Sequence, residues 1–192
     1  MQKLVLASTS PFRQAILQKL NIKFDTCDPQ VDETPQHNET PQQLVTRLAE
    51  EKARSVSIKY PNSLIIGSDQ VAVHDKEIVG KPRDHQDAVE QLRFASGKSI
   101  TLYTGLALIN SNSGKVQSIV DPFTIHFRQL TEEQIANYLK KDQPYNCAGS
   151  VKSESLGVAL FERFEGDDPN SLIGLPLIRL VRMLENEGIN LL

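Results

Sequence analysis

Apolar and polar positions change period several times along this chain, and each change marks an element. Residues 4–7 (LVLA) form a short unbroken apolar run, read as a buried strand. It ends in Ser8-Thr9-Ser10, after which Pro11 fits the first helical position with Ser10 as N-cap. Phe12, Ile16, Leu17 and Leu20 give that helix its apolar face. Residues 24–40 are polar and aperiodic, with Pro29 and Pro35, and predict a loop entered from a short strand at 24–27. Thr40, Pro41 and Gln43 then form a capping-box start, and the helix they open buries Leu44, Leu48 and Val56, with Val45 and Ala49 beside them. Lys52 falls at the edge of that apolar stripe rather than opposite it.

Two apolar runs follow within residues 63–73, interrupted by Gly67, Ser68, Asp69 and Gln70, which sets Asp69 at the end of a buried strand. Residues 84–95 show helical spacing through Ala88, Val89, Leu92 and Ala95. Residues 100–109 and 116–127 read as two long strands joined by a hairpin at 110–114 (NSNSG). Thr131 with Gln134 caps a helix bearing Ile135, Tyr138 and Leu139. A Gly/Ser-rich turn at 149–157 leads into residues 158–161, and Pro176 opens a last helix running through Leu184. Helices and strands alternate early and a hairpin comes later, which predicts an α/β fold with an α+β tendency and a mixed sheet. No repeat or long linker divides the chain, so residues 1–192 are expected to form a single domain.

Composition narrows the function classes. The 192 residues carry Lys+Arg 21 against Asp+Glu 24, a net charge of −3, so no global positive field draws a nucleic-acid polymer. Trp is absent and aromatics make up 6%, which argues against a stacking platform for single strands. A small anion such as a nucleotide can still bind through a local cluster of cations. Cys27 and Cys147 stand far apart with no CxxC, so two free thiols in a reducing compartment are expected rather than a disulfide. The apolar run after Lys3 is too short for a secretory segment, and no run approaches the roughly 18 residues of a membrane span. The cytoplasm is the expected location, with no membrane partner.

The candidate chemistry begins at the first turn. A strand, a hydroxyl-rich turn and a helix N-terminus in succession make an anion site, because free backbone N–H groups point at the turn. Arg13 in the first helical turn opposes the helix dipole, which an anion held by that side chain would explain. Asp69 alone is as well explained by a turn as by metal binding. Its company changes the balance: Glu33 in the acidic loop Val31-Asp-Glu-Thr34 offers a second hard oxygen, and Lys52 and Lys81 offer charge to phosphates. Each of these alone is an ordinary loop or surface residue; together they call for one cause. His37, His74, His85 and His126 lack zinc-site spacing, so carboxylates imply Mg²⁺ or Mn²⁺. GxxxxGK[ST], GxGxxG and GxSxG are all absent.

Six motifs in order, Ser8-Thr-Ser-Pro-Phe-Arg13, Val31-Asp-Glu33, Glu51-Lys-Ala53, Gly67-Ser-Asp-Gln70, Gly80-Lys-Pro82 and Tyr103-Thr-Gly105, resemble those of the Maf family of nucleotide pyrophosphatases. Gly67-Ser-Asp-Gln70 together with Gly149-Ser-Val-Lys-Ser-Glu154 is similar to the subgroup acting on 7-methyl-GTP. The resemblance implies an inosine triphosphate pyrophosphatase-like fold, a long mixed sheet with two lobes around a cleft, and a homodimer. It implies a metal-dependent hydrolase that converts a nucleoside triphosphate to the monophosphate and pyrophosphate. Asp69 would be the proton acceptor, with Glu33 and Asp69 at the metal, and Ser8, Arg13, Lys52 and Lys81 at the phosphates. Phe12, Gln70 and Glu154 would read the base. Whether Asp69 acts as base or as metal ligand stays open at this point. A dTTP/UTP pyrophosphatase of the same family and a nucleotide-binding regulator of cell division are the alternative readings.

Overall fold

A computed structural model describes residues 2–192, and among them seven strands join in one mixed sheet flanked by helices. In chain order the elements are β1 (Lys3–Leu6), α1 (Pro11–Gln18), β2 (Asp25–Thr26), α2 (Pro41–Ser57), β3 (Ser63–His74), β4 (Glu77–Val79), α3 (His85–Ala95), β5 (Ser99–Asn110), β6 (Val116–Phe127), α4 (Glu132–Asp142), β7 (Phe161–Glu165) and α5 (Leu177–Glu185). The sheet order is β2-β1-β3-β5-β6-β7, with β4 also paired to β3. β1 runs parallel to both β2 and β3, while β4 on β3 and β7 on β6 are antiparallel. By contacts the chain divides into two compact units, the first made of residues up to Gln70, Tyr103–Asp121 and Asp168–Leu192, the second of Val71–Leu102 and Pro122–Asp167.

In the first unit the unbroken apolar run of β1 is explained by burial on both faces. Leu4 and Leu6 pack with Ile16 and Leu17 of α1 and with Leu180 and Leu184 of α5. Val5 and Ala7 face the other way, against Ala53 and Val56 of α2. Helices α1 and α5 therefore cover one face of the sheet and α2 the other. The close seat of α2 depends on two missing side chains. A Cβ on Gly67 of β3 would collide with the Ala49 carbonyl, and one on Gly105 of β5 with the Val45 carbonyl. The helix backbone thus rests on the sheet itself, one turn before Lys52.

β3 corrects one expectation. Its twelve residues run through Gly67-Ser-Asp-Gln70 without a break, so Asp69 sits inside the strand and not at its end. The polar stretch is tolerated because each side chain there finds a partner. Ser68 shares its one hydroxyl hydrogen between the Gly105 and Gly174 carbonyls, Asp69 accepts from Lys52, and Gln70 donates to Thr104 and Ser171.

The second unit is organised by α3 and α4, which bury Ala88, Leu92, Ile135 and Leu139 and are joined by a bond from Arg93 to Glu132. Phe161 lies between Phe127 and Phe164, with ring centroids 5.3 Å away in each case. β4 and β7 were not expected from the sequence; both are short and expose most of their side chains. The capping boxes at Thr40 and Thr131 form as the residue pattern predicts.

Candidate active site

Where β1 stops, its partner β3 runs on, and the freed space is taken by the turn that starts α1. Ser10 N donates to Ser8 Oγ at 3.1 Å, and Arg13 N donates to Ser10 Oγ at 3.4 Å. These two bonds fix the hydroxyl turn at the helix N-terminus. A pocket of about 250 Å³ opens beside it, with Ser8, Ser10, Arg13, Glu33 and Lys52 in its wall.

Lys52 reaches this pocket from α2 and is almost fully buried. Its Nζ donates to Asp69 Oδ1 at 2.6 Å and pairs with Glu33 Oε1 at 2.6 Å. One ammonium thus holds two carboxylates from a loop and a strand far apart in sequence. Asp69 is nearly as buried as Lys52, whereas the Glu33 side chain is 62% exposed. Taking Asp69 out of water is tolerable only because the lysine travels with it. Arg13 is the second cation. Its Nε donates to the Gly174 carbonyl at 2.9 Å, which anchors the base of the guanidinium and leaves its outer nitrogens for an anion. Burial holds Arg13 below its ordinary range, while the nearby Asp69 and then Glu33 pull the other way.

Asp69 and Gln70 are successive strand residues and so project to opposite faces of β3. Gln70 donates to Thr104 Oγ1 at 2.8 Å and to the Ser171 carbonyl at 2.6 Å. Phe12, at the start of α1, is 47% exposed, so its ring is available for stacking. Ser8, Arg13, Glu33, Lys52 and Asp69 are therefore brought together in the first unit, with Phe12 and Gln70 on the elements that bear them.

Lys81 and Glu154 belong to the second unit. Both are exposed, and both act electrostatically on Cys147. Burial pushes the Cys147 thiol up, Glu154 adds to that, and Lys152 and Lys81 oppose it. The Gly149 N–H donates to the Gly80 carbonyl at 3.1 Å, tying the turn before Glu154 to the turn that carries Lys81. Both cysteines are free thiols.

The segment from Asp168 to Gly174 was missed in the sequence. Asp168 is fully buried and accepts from Asn170 N at 2.9 Å, Asn170 Nδ2 at 2.7 Å and Ile178 N at 2.7 Å. A local signal was present: Asp168-Pro169 is an N-cap followed by Pro at the first position of a short helical turn. Its backbone carbonyls receive Arg13, Ser68, Gln70 and Thr104.

Among the described residues no group of three His, Cys, Asp or Glu side chains is placed to hold a metal ion. Glu33 and Asp69 are nevertheless two hard oxygen donors on one cation, a set that suits Mg²⁺ or Mn²⁺ completed by phosphate oxygens and water.

A family model described as Maf-like protein matches residues 3–187. The protein named 7-methyl-GTP pyrophosphatase from Colwellia psychrerythraea is 60% identical over 192 residues, covering 100% of this chain and 96% of that protein. Among solved structures, a HAM1 protein from Coxiella burnetii aligns with a TM-score of 0.45 and 15% identity over 66% of this chain and 73% of that one. A nucleoside-triphosphatase / dITP/XTP pyrophosphatase from Mycobacterium abscessus aligns with a TM-score of 0.40 and 14% identity over 67% of this chain and 76% of that one.

Proposed function

The chain belongs to the Maf-like protein family, and we propose that it hydrolyses 7-methyl-GTP to 7-methyl-GMP and pyrophosphate. The observation that carries this reading is the buried Asp69 carboxylate held 2.6 Å from Lys52, next to a pocket walled by the Ser8–Arg13 turn. The 60% identity to a protein named for that substrate supports the choice of base.

Hydrolysis at the α-phosphorus requires a proton acceptor for water, neutralised phosphates and a stabilised pyrophosphate leaving group. Asp69 is the proton acceptor in this scheme. Held by one oxygen on Lys52, it keeps its second oxygen for the attacking water. The hydroxyl turn, through Ser8 and its backbone N–H groups, and the outer nitrogens of Arg13 receive phosphate oxygens. Lys52 shifts part of its charge from the carboxylates to the incoming phosphates, and Lys81 is the further phosphate cation of this reading. Glu33 and Asp69 would hold a divalent cation, which when bound supplies positive charge to the triphosphate.

Every nucleotide presents the same phosphates, so discrimination falls to the base. Phe12 offers a ring to stack on the cationic methylated guanine, and Glu154 offers a carboxylate that accepts both N–H groups of one guanine edge. The whole chain acts as one enzyme domain, and a homodimer in the cytoplasm is its expected form.

The deciding experiment measures pyrophosphate release with Mg²⁺ from 7-methyl-GTP, GTP, dTTP, UTP and CTP. A clear preference for 7-methyl-GTP, with monophosphate formed in step, supports the reading. A preference for dTTP or UTP keeps the reaction and rejects the base assignment. No release from any of them rejects the reaction.

A further inference from the structure

The face of β3 opposite Asp69 carries a hydrogen-bond arrangement that the proposed chemistry does not use. Gln70 donates both hydrogens of its side-chain amide, to Thr104 Oγ1 and to the Ser171 carbonyl. Thr104 donates its single hydroxyl hydrogen to that same carbonyl, at 3.1 Å. Chemistry fixes the direction of each bond. A backbone carbonyl only accepts, so the Gln70 amide and the Thr104 hydroxyl, which share Ser171 O with the Gly174 N–H, must both be donors to it. With its hydrogen committed there, Thr104 Oγ1 has only lone pairs left for Gln70. The amide of Gln70 therefore has one allowed orientation; the flipped one would set Oε1 against a carbonyl oxygen and a lone pair.

Thr104 and Ser171 are both fully buried. Gln70 is half-buried, and its Oε1 takes no hydrogen bond from the protein among the described residues. The turn that carries this carbonyl is pinned by the Asp168 carboxylate, which accepts from Asn170 N within the turn and from Ile178 N at the start of α5. Gly174 O, at the end of the same turn, anchors Arg13 Nε and Ser68 Oγ at 2.9 Å each. One short turn thus sets both a phosphate-side cation and a base-side amide.

We propose that Thr104 and the Ser171 carbonyl together position Gln70 for base choice: they lock its amide so that the protein presents an obligate hydrogen-bond acceptor to the nucleobase. This rests on the nucleotide reading above and assigns the kind of edge that is favoured, one that donates, such as the N1–H and 2-amino edge of a guanine. An amide free to flip offers either a donor or an acceptor and accommodates either kind of edge. The lock removes that freedom before substrate arrives.

The test compares the wild type with Thr104→Val and Thr104→Ser. Pyrophosphate release is measured on 7-methyl-GTP and UTP, and equilibrium binding of both is measured by calorimetry in EDTA. Valine keeps the shape of threonine and cannot accept from Gln70. In Thr104→Val the ratio of kcat/KM between the preferred and the other nucleotide falls about tenfold, through KM, with kcat on the preferred one held within about twofold. Thr104→Ser keeps the hydroxyl and restores the ratio. Equal losses on both nucleotides, an unchanged ratio, or a loss that serine does not restore overturns the proposal. Should the valine variant fail to fold, Thr104→Ala removes the same acceptor with less bulk. Failure of the functional reading is separate: the wild type releases no pyrophosphate, and the calorimetric ratio between the two nucleotides still reads the lock.

Discussion

The charged groups of the two units are held in different ways. In the first unit Lys52 and Asp69 are largely out of water, Arg13 is half-buried, and each is fixed by a named partner. In the second, Lys81 and Glu154 stand on exposed turns, and among the described residues Glu154 accepts a hydrogen bond only from the neighbouring Ser153 hydroxyl, at 3.3 Å. Preorganised groups can stabilise developing charge without rearranging when the reaction occurs. Exposed groups must be ordered by the ligand, which weakens binding but leaves choice of ligand easier to adjust. On the proposed reading, the groups around Asp69 meet the substrate already fixed, whereas Lys81 and Glu154 are ordered by it.

The sharpest way to break this comparison is Asp69→Asn. It keeps the shape of the buried carboxylate and its contact with Lys52 but cannot take a proton from water. Turnover should fall by about 10²- to 10⁴-fold while nucleotide binding by calorimetry persists. Unchanged turnover would remove Asp69 from the chemistry.

Lys52→Met comes next. It leaves Asp69 buried without its counter-charge, so denaturant unfolding should show a loss of about 3 kcal/mol along with the loss of activity. A variant as stable as the wild type would mean that the carboxylate is far better hydrated than its burial indicates.

The second unit should respond more mildly. Lys81→Ala should raise KM by roughly tenfold and change stability by no more than about 0.5 kcal/mol, because an exposed lysine supports little of the fold. Glu154→Gln should reduce turnover of 7-methyl-GTP much more than that of UTP; equal losses would take Glu154 out of base reading.

The smallest effect concerns a group that neither set uses. His74 is buried, its ring centroid 4.2 Å from that of Phe94, and its Nε2 makes no hydrogen bond among the described residues. Burial above all, with Lys98 adding to it, holds the imidazole below its ordinary value of 6.5, while Asp75, 3.7 Å away, pulls it up. The folded chain therefore resists a proton that the unfolded chain accepts. This contribution to stability is fully present above about pH 6.5 and is lost as the pH falls toward the lower folded value. Urea midpoints at pH 7.5 and 5.5 should differ less in His74→Leu than in the wild type. An equal difference in both would assign the acid sensitivity to other groups.

Much of the fold was legible because its signals are local. Ser10-Pro11, Thr40 with Gln43 and Thr131 with Gln134 announce their helices within a few residues, and β1 and β5 carry apolar runs that admit few other readings. The residues that gather in the first unit could be named only as a set, because each alone reads as an ordinary turn, loop or surface residue and the ordered motifs tie them together. β7 stayed hidden because an edge strand reading Phe-Glu-Arg-Phe-Glu exposes four of its five side chains and shows no apolar alternation. The continuity of β3 was hidden for another reason. Its polar residues are satisfied by groups distant in sequence, Ser68 by Gly174 at a separation of 106 and Gln70 by Ser171 at 101. The Asp168–Gly174 turn has the same character. Its capping signal is visible, but its role is defined by Arg13, 161 residues away.

The seat of α2 on Gly67 and Gly105 has a consequence for how this protein can change. Main-chain atoms have the same size whatever the amino acid, so a helix resting on bare backbone has its height above the sheet set by a gauge that substitution elsewhere does not alter. The reach from Lys52 to Asp69 is therefore insulated from drift in the surrounding core. Leucines and valines beneath the helix can be exchanged, or repacked for heat tolerance, without resetting the spacing between those two charges.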